Sequence, residues 1–148
     1  MNSLIYTKAY NTILKTSSLM EQRVRRLLRP HGITHLQYHI LRSLAAAYPH
    51  PRAPKDIKNE MVISSPDVTR ILDRMVDKGW VTRKTCETNR RRVDVSISEL
   101  GMKQFKEANS NLQKEINSYL SLRLSEDDIY LLLSLISKIE QKEYSKNN

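Results

Sequence analysis

Three successive arginines, Arg90, Arg91 and Arg92, stand inside the stretch CETNRRRVDVSISELG. Guanidinium groups crowded this closely repel one another and resist burial, so the tip is either a solvated turn or a contact for something negatively charged. Upstream, the stretch SSPDVTRILDRM collects Ser64, Ser65, Asp67, Thr69, Arg70 and Arg74. Hydroxyls reach phosphate oxygens or base edges, and a guanidinium can engage guanine through two parallel hydrogen bonds. Arg74, one turn beyond Arg70, suits a backbone phosphate. Asp67 admits two roles, accepting from cytosine or stabilising a helix start. The chemistry available is recognition of a polyanion. No nucleophile–base–orienter set, glycine-rich phosphate loop or convincing pair of carboxylates points to an enzyme.

The charge distribution points the same way. Residues 1–98 hold 18 Lys/Arg against 8 Asp/Glu, a net of +10, while residues 99–148 hold 7 against 8, a net of −1. Positive charge confined to one part of a chain of net charge +9 fits a polyanion-binding face better than general solubility. Nucleic acid is the first candidate and an anionic membrane surface the second. The single cysteine, Cys86, forbids an intramolecular disulfide. The first residues lack the basic and apolar regions of a secretory signal, and no apolar run reaches the roughly 18–20 residues of a membrane span. The expected location is cytoplasmic, with no membrane partner.

Positioning these residues requires a scaffold, and 148 residues suffice for one domain with a real core. Apolar residues recur at helical spacing from Ser3 to about Arg29, where Pro30 and Gly32 end the run. Thr34 offers an N-cap to HLQYHILRSLAAA, and Pro54 opens a short helix after the proline-rich YPHPRAP. Ser65 and Pro66 predict the start of PDVTRILDRMVDK, with Val68, Ile71, Leu72, Met75 and Val76 on one face and Gly79 as the stop. Two strands follow, roughly Trp80–Thr85 and Arg92–Ile97, the second alternating apolar and polar residues. Ser98 caps a long helix, and Ser125 with Asp128 forms a capping box before a terminal one.

A short helix, a tight turn, a capped helix and a hairpin make a winged helix-turn-helix. A major groove admits one helix, whose first turn presents side chains to base edges. The adjoining hairpin then reaches the neighbouring minor groove, where focused negative potential favours arginine.

At these residues the chain resembles the MarR family of transcription regulators. Val68-Thr69-Arg70, Lys78-Gly79, Arg90-Arg91, Ile97-Ser98 and Gly101 fall at the family's spacings, and ITHLQYHIL, with Thr34, Gln37 and Leu41, resembles its second helix. The expected fold is mainly α with a small β-hairpin wing. The lobe at about 34–98 is flanked by dimerisation helices at about 1–30 and 99–148, all within a single MarR-type domain. The resemblance implies a homodimer whose first and last helices interlock, and the apolar stripes in Ile5–Leu28 and Ile129–Ile139 agree. Such a dimer reads a pseudo-palindrome. The family's wing carries an aspartate that pins an arginine; here Asn89 stands instead, which leaves the tip more positive, and spacing favours Arg91, then Arg90, as the groove probe.

The resemblance also implies a small apolar or phenolic effector in a cleft that Tyr10, Tyr38 and His39 line, although each equally suits core or boundary packing. His35 and His39 have metal-pair spacing, but no cysteine or carboxylate constellation completes a site, so neither metal nor cofactor is expected. The function expected is that of a sequence-specific double-stranded DNA-binding regulator, a ligand-responsive repressor. The alternative is a winged-helix module that binds an acidic protein.

Overall fold

The computed structural model describes residues 3–61, 67–85 and 93–144. Helix α1 runs Ser3–Leu28, followed by a 3-10 turn at Arg29–His31 that Gly32 terminates in the left-handed conformation, φ 65°. Helix α2, His35–Ala47, starts on a complete capping box: Gln37 N–H donates to Thr34 Oγ1, and Thr34 N–H donates to the Gln37 carboxamide, 3.0 Å away. Helix α3, Pro54–Glu60, has proline in its first turn, where a missing N–H costs nothing.

Helix α4 spans Val68–Asp77. It begins later than the expected Ser65 cap, because Asp67 takes that role and its carboxylate accepts from Arg70 N–H at 2.9 Å. Residues 62–66, with Ser64 and Ser65, lie outside the described residues. Gly79, at φ 69°, stops the helix as expected. Strands β1, Val81–Thr85, and β2, Val93–Ile97, pair antiparallel with Val81 opposite Ile97 and Thr85 opposite Val93. Val95 and Ile97 are buried while Val93 is exposed. Helix α5, Glu99–Ser121, starts where Gly101 N–H donates to Ser98 Oγ at 2.9 Å. Helix α6, Glu126–Tyr144, starts on the Ser125–Asp128 capping box.

The chain divides into two compact units, Met1–Leu112 and Gln113–Asn148. In the first, Leu28, Ile40, Leu41, Leu44, Ile57, Leu72, Met75, Val81 and Val95 are fully buried. Each such side chain stabilises by about 1.5–3 kcal/mol relative to exposure. Helices α2, α3 and α4 each contribute one face to this core. Val76 does not join it: it is 39% exposed, one position round from the buried Leu72–Met75 edge.

Helix α1 is different. Of its apolar residues only Leu28 is buried; Leu4, Ile5, Tyr6, Tyr10, Leu14 and Leu19 are each more than half exposed. In the second unit, Tyr130, Leu131, Leu133 and Ile139 of α6 are likewise exposed. Apolar stripes of this extent on two helices are surfaces that want a partner.

Candidate nucleic-acid interface

The amphipathic pattern of α4 buries Val68, Leu72 and Met75, and so turns Thr69, Arg70, Asp73 and Arg74 outward. Thr69 and Arg70 sit in the first turn, beside the helix start. The structure gives Asp67 the helix-capping role and so brings it against the Arg70 backbone, not to the guanidinium. Arg74 follows one turn on from Arg70, on the same outward face. It lines a cavity of about 600 Å³ with Arg25 and Arg29 of the α1 end, Ile33, Leu36 and Ile71.

Two arginines that the sequence did not single out tie this surface together. Arg83, on β1, donates through Nη1 to the Asp73 carboxylate and through Nη2 to Thr69 C=O at 2.9 Å. One guanidinium thus grips a side chain and a main-chain carbonyl of α4, and fixes the helix to the root of the hairpin. Its planar fork suits two acceptors held in one plane better than a lysine would. Asp73, which would otherwise repel a phosphate, has its charge neutralised from behind.

Arg52 lies in the proline-rich connection. Its N–H and C=O both bond Val95, at 2.9 Å each, so it adds one residue of pairing to the outer edge of β2. Its guanidinium meets Glu60 at the end of α3, and Ser43 on α2 donates to the same carboxylate at 2.7 Å. The Arg52 guanidinium, with Ser43, holds the Glu60 carboxyl below the usual range. Helices α2 and α3 and strand β2 are therefore latched at one point. Only contacts between distant segments reveal either arginine; the nearest sequence signal is a cation in a strand or a connection.

Arg90, Arg91 and Asn89, and with them the expected wing probe, lie outside the described residues. Tyr38 is buried, donates through its hydroxyl to Asn109 Oδ1 at 2.7 Å and packs 5.8 Å from the Phe105 ring. His39 is its edge-on neighbour at 5.9 Å. Tyr10 stands 65% exposed on α1. A groove of about 980 Å³ between α2 and α5 is lined instead by Arg42, Ala46, Tyr48, Met102 and Phe105. Among the described residues no group of three or more His, Cys, Asp or Glu is placed to hold a metal ion. No described helix is long and apolar enough to cross a membrane.

Comparison with known proteins places this geometry. Residues 33–93 match the family model described as MarR family. The chain is 28% identical over 111 residues to the HTH-type transcriptional regulator PrsX of Escherichia coli, covering 73% of this chain and 67% of that protein. It is 25% identical over 130 residues to the transcriptional repressor MprA of Escherichia coli K12, covering 86% and 73%. Among solved structures, a mutant MarR from E. coli complexed with operator DNA matches with a TM-score of 0.78 at 25% identity, covering 87% of this chain and 91% of that one.

Proposed function

We propose that the chain carries a MarR-family winged helix-turn-helix domain, matched over residues 33–93, and that it is a sequence-specific regulator of transcription that binds duplex DNA as a homodimer and represses. The observation that carries this reading is the outward face of α4, where Thr69 and Arg70 are presented in the first turn while Arg83 clamps the same helix to the hairpin. Helix and wing then enter adjacent grooves as one body. Arg70 reads a base; Ser64 and Ser65 meet phosphates or base edges; Arg74 meets a backbone phosphate; Arg91, with Arg90, probes the minor groove. Asp67 contributes through the helix start it caps.

Homodimerisation is supported by the exposed apolar stripes on α1 and on α6, which a second copy covers by twofold symmetry. Paired lobes would read a pseudo-palindrome with half-sites about one helical turn apart. A small apolar or phenolic effector that meets the region of Tyr10, Tyr38 and His39 would relieve repression. The cationic first part of the chain, which includes the outward first turn of α4, favours DNA over a membrane surface as the anionic partner.

Selection from random duplexes, followed by anisotropy titration of the winning duplex at several salt concentrations, tests the proposal. Affinity for the selected duplex should fall steeply with salt as counterions are released. Arg91→Ala should cost roughly 1–3 kcal/mol of specific binding, and Arg70→Ala should relax base preference more than it weakens non-specific binding. Retention of no common sequence, or affinity indifferent to salt, would refute the reading and favour an acidic protein partner.

A further inference from the structure

Three polar side chains stand in a row on α2: His35, His39 and Arg42. The Nε2 atoms of the two histidines are 2.9 Å apart, with ring centroids separated by 4.5 Å. Two bare nitrogens, or two N–H groups, repel at that distance, so one hydrogen lies between them. Arg42 decides on which ring it belongs. Its Nη2 is 3.1 Å from His39 Nδ1, and a guanidinium only donates. His39 Nδ1 is therefore the acceptor and carries no hydrogen. In a neutral ring the hydrogen then sits on His39 Nε2 and is donated to His35 Nε2. His35 in turn carries its hydrogen on Nδ1, which is buried without a hydrogen-bond partner and lies 3.6 Å from Glu21 Oε1 of α1. That separation is too long for a hydrogen bond but within ion-pairing range. A chain of polarity thus runs Arg42 to His39 to His35 to Glu21, its sense dictated from one end.

We propose that the His35–His39 pair is a one-proton device: on acidification it takes up a single proton, breaks the Arg42–His39 contact and replaces it with a charged His35–Glu21 pair. Both bare nitrogens of the neutral chain are already acceptors, so an added proton must reverse the chain. The solvent proton ends on His39 Nδ1, and the hydrogen shared between the rings crosses from His39 Nε2 to His35 Nε2. His35 becomes the cation with both nitrogens protonated, and His39 stays neutral with its tautomer exchanged. His39 Nδ1–H then confronts the Arg42 donor, and that contact is lost.

The surroundings favour this order of events. Glu21 of α1 stabilises charge on His35, although Arg25 shares its carboxylate at 2.6 Å. Arg42 opposes charge on His39 from its own helix. Burial pushes His39 down to about 4, with the His35 charge and Arg42 adding to it, and burial also lowers His35 while Glu21 pulls it back up. The freed guanidinium stays in the groove it already lines, where Glu99 and Glu107 of α5 offer carboxylates beside Lys103 and Lys106. One proton would therefore tighten α2 against α1 on one side and add a free cation to the α2–α5 groove on the other. The device goes beyond the DNA-binding reading and stands without it.

Long-range proton–nitrogen correlation spectra of the histidine rings in the full chain, followed from pH 8 to pH 4, test the proposal, with His35→Gln and His39→Gln assigning the signals. The expected result at pH 8 is a bare Nδ1 on His39 and a bare Nε2 on His35; on acidification His35 becomes doubly protonated first while His39 exchanges its tautomer. Arg42 is exposed, so Arg42→Met should fold; with the opposing cation removed, the midpoint of the pair's single proton uptake, read at both rings, should rise by about 0.5 pH. Opposite tautomers in the unmodified protein at pH 8, two rings titrating independently in one step, or Arg42→Met curves that superimpose on the unmodified ones would each overturn it.

Discussion

Replacing Gly101 by alanine should destabilise the first unit by about 2 kcal/mol, although alanine is the better helix former. A Cβ at Gly101 would fall 2.0 Å from Trp80 O, 2.8 Å from Trp80 C and 3.1 Å from Ile97 Cγ1. Relief demands a displacement of about 1.4 Å before the Cβ and Trp80 O reach ordinary contact. The carbonyl cannot swing aside freely, because it accepts Ser98 N–H at 3.0 Å at the entry to α5. Overpacking of this kind costs about 1–3 kcal/mol and a disrupted hydrogen bond about 1 kcal/mol more. Alanine in place of glycine within a helix returns about 1 kcal/mol. The remainder corresponds to a fall in Tm of about 4–8 °C for a chain of this size. Urea titration and thermal melting followed by far-ultraviolet circular dichroism measure it directly. Gly32→Ala is the comparison: no atom lies within 4 Å of its Cβ, but φ is +65°, so only backbone strain of about 1–2 kcal/mol applies. A Gly101→Ala protein as stable as its parent, or more so, would show that the close approach of α5 to Trp80 does not constrain this fold.

Further outcomes are expected. Asp67→Ala removes the acceptor for Arg70 N–H and should cost about 1 kcal/mol by urea titration, with Asp67→Asn recovering most of it. Arg83→Gln releases Asp73 and Thr69 C=O together; specific DNA affinity should fall at least 10-fold, about 1.4 kcal/mol, while the Tm moves by only a few degrees. Equal losses of specific and non-specific binding would remove Arg83 as an organiser of the interface. Stability should also depend on acidity through His39, whose folded value of about 4 lies below the ordinary 6.5. The unfolded chain binds the proton more readily, so this contribution is complete above about pH 6.5 and is lost as pH falls towards 4. Screening at a half-buried ring holds it to about 1–2 kcal/mol, and urea titrations at pH 7 and pH 4.5 should show that much of the difference absent from His39→Gln.

Much of the scaffold is legible in the sequence because its signals are local. Thr34 with Gln37, Ser125 with Asp128, and Gly79 after Lys78 each specify a helix end within a few residues, and the alternation from Val93 to Ile97 marks a strand in the same way. The cap of α4 falls two residues beyond the expected Ser65 because Ser65 and Asp67 both carry a capping acceptor, and only the backbone course settles that Asp67 caps. Distant partnerships are invisible at that level. Nothing near Arg52 announces that it bonds Val95 and Glu60, and nothing near Arg83 announces Thr69 and Asp73. The spacing of His35 and His39 is plain, yet the direction of their shared hydrogen depends on where Arg42 and Glu21 lie. The exposed stripes on α1 and α6 are legible only as an excess of apolar residues over what one small lobe can cover.

The single residue that Arg52 lends to β2 has a consequence for how copies of this chain behave when crowded. A two-stranded ribbon offers bare main-chain groups along both margins, an invitation to foreign strands. Arg52 occupies the middle of one margin with a paired donor and acceptor, and charged Lys84 stands on the strand that forms the other. Edge-to-edge pairing of one ribbon with another is thereby discouraged at both margins.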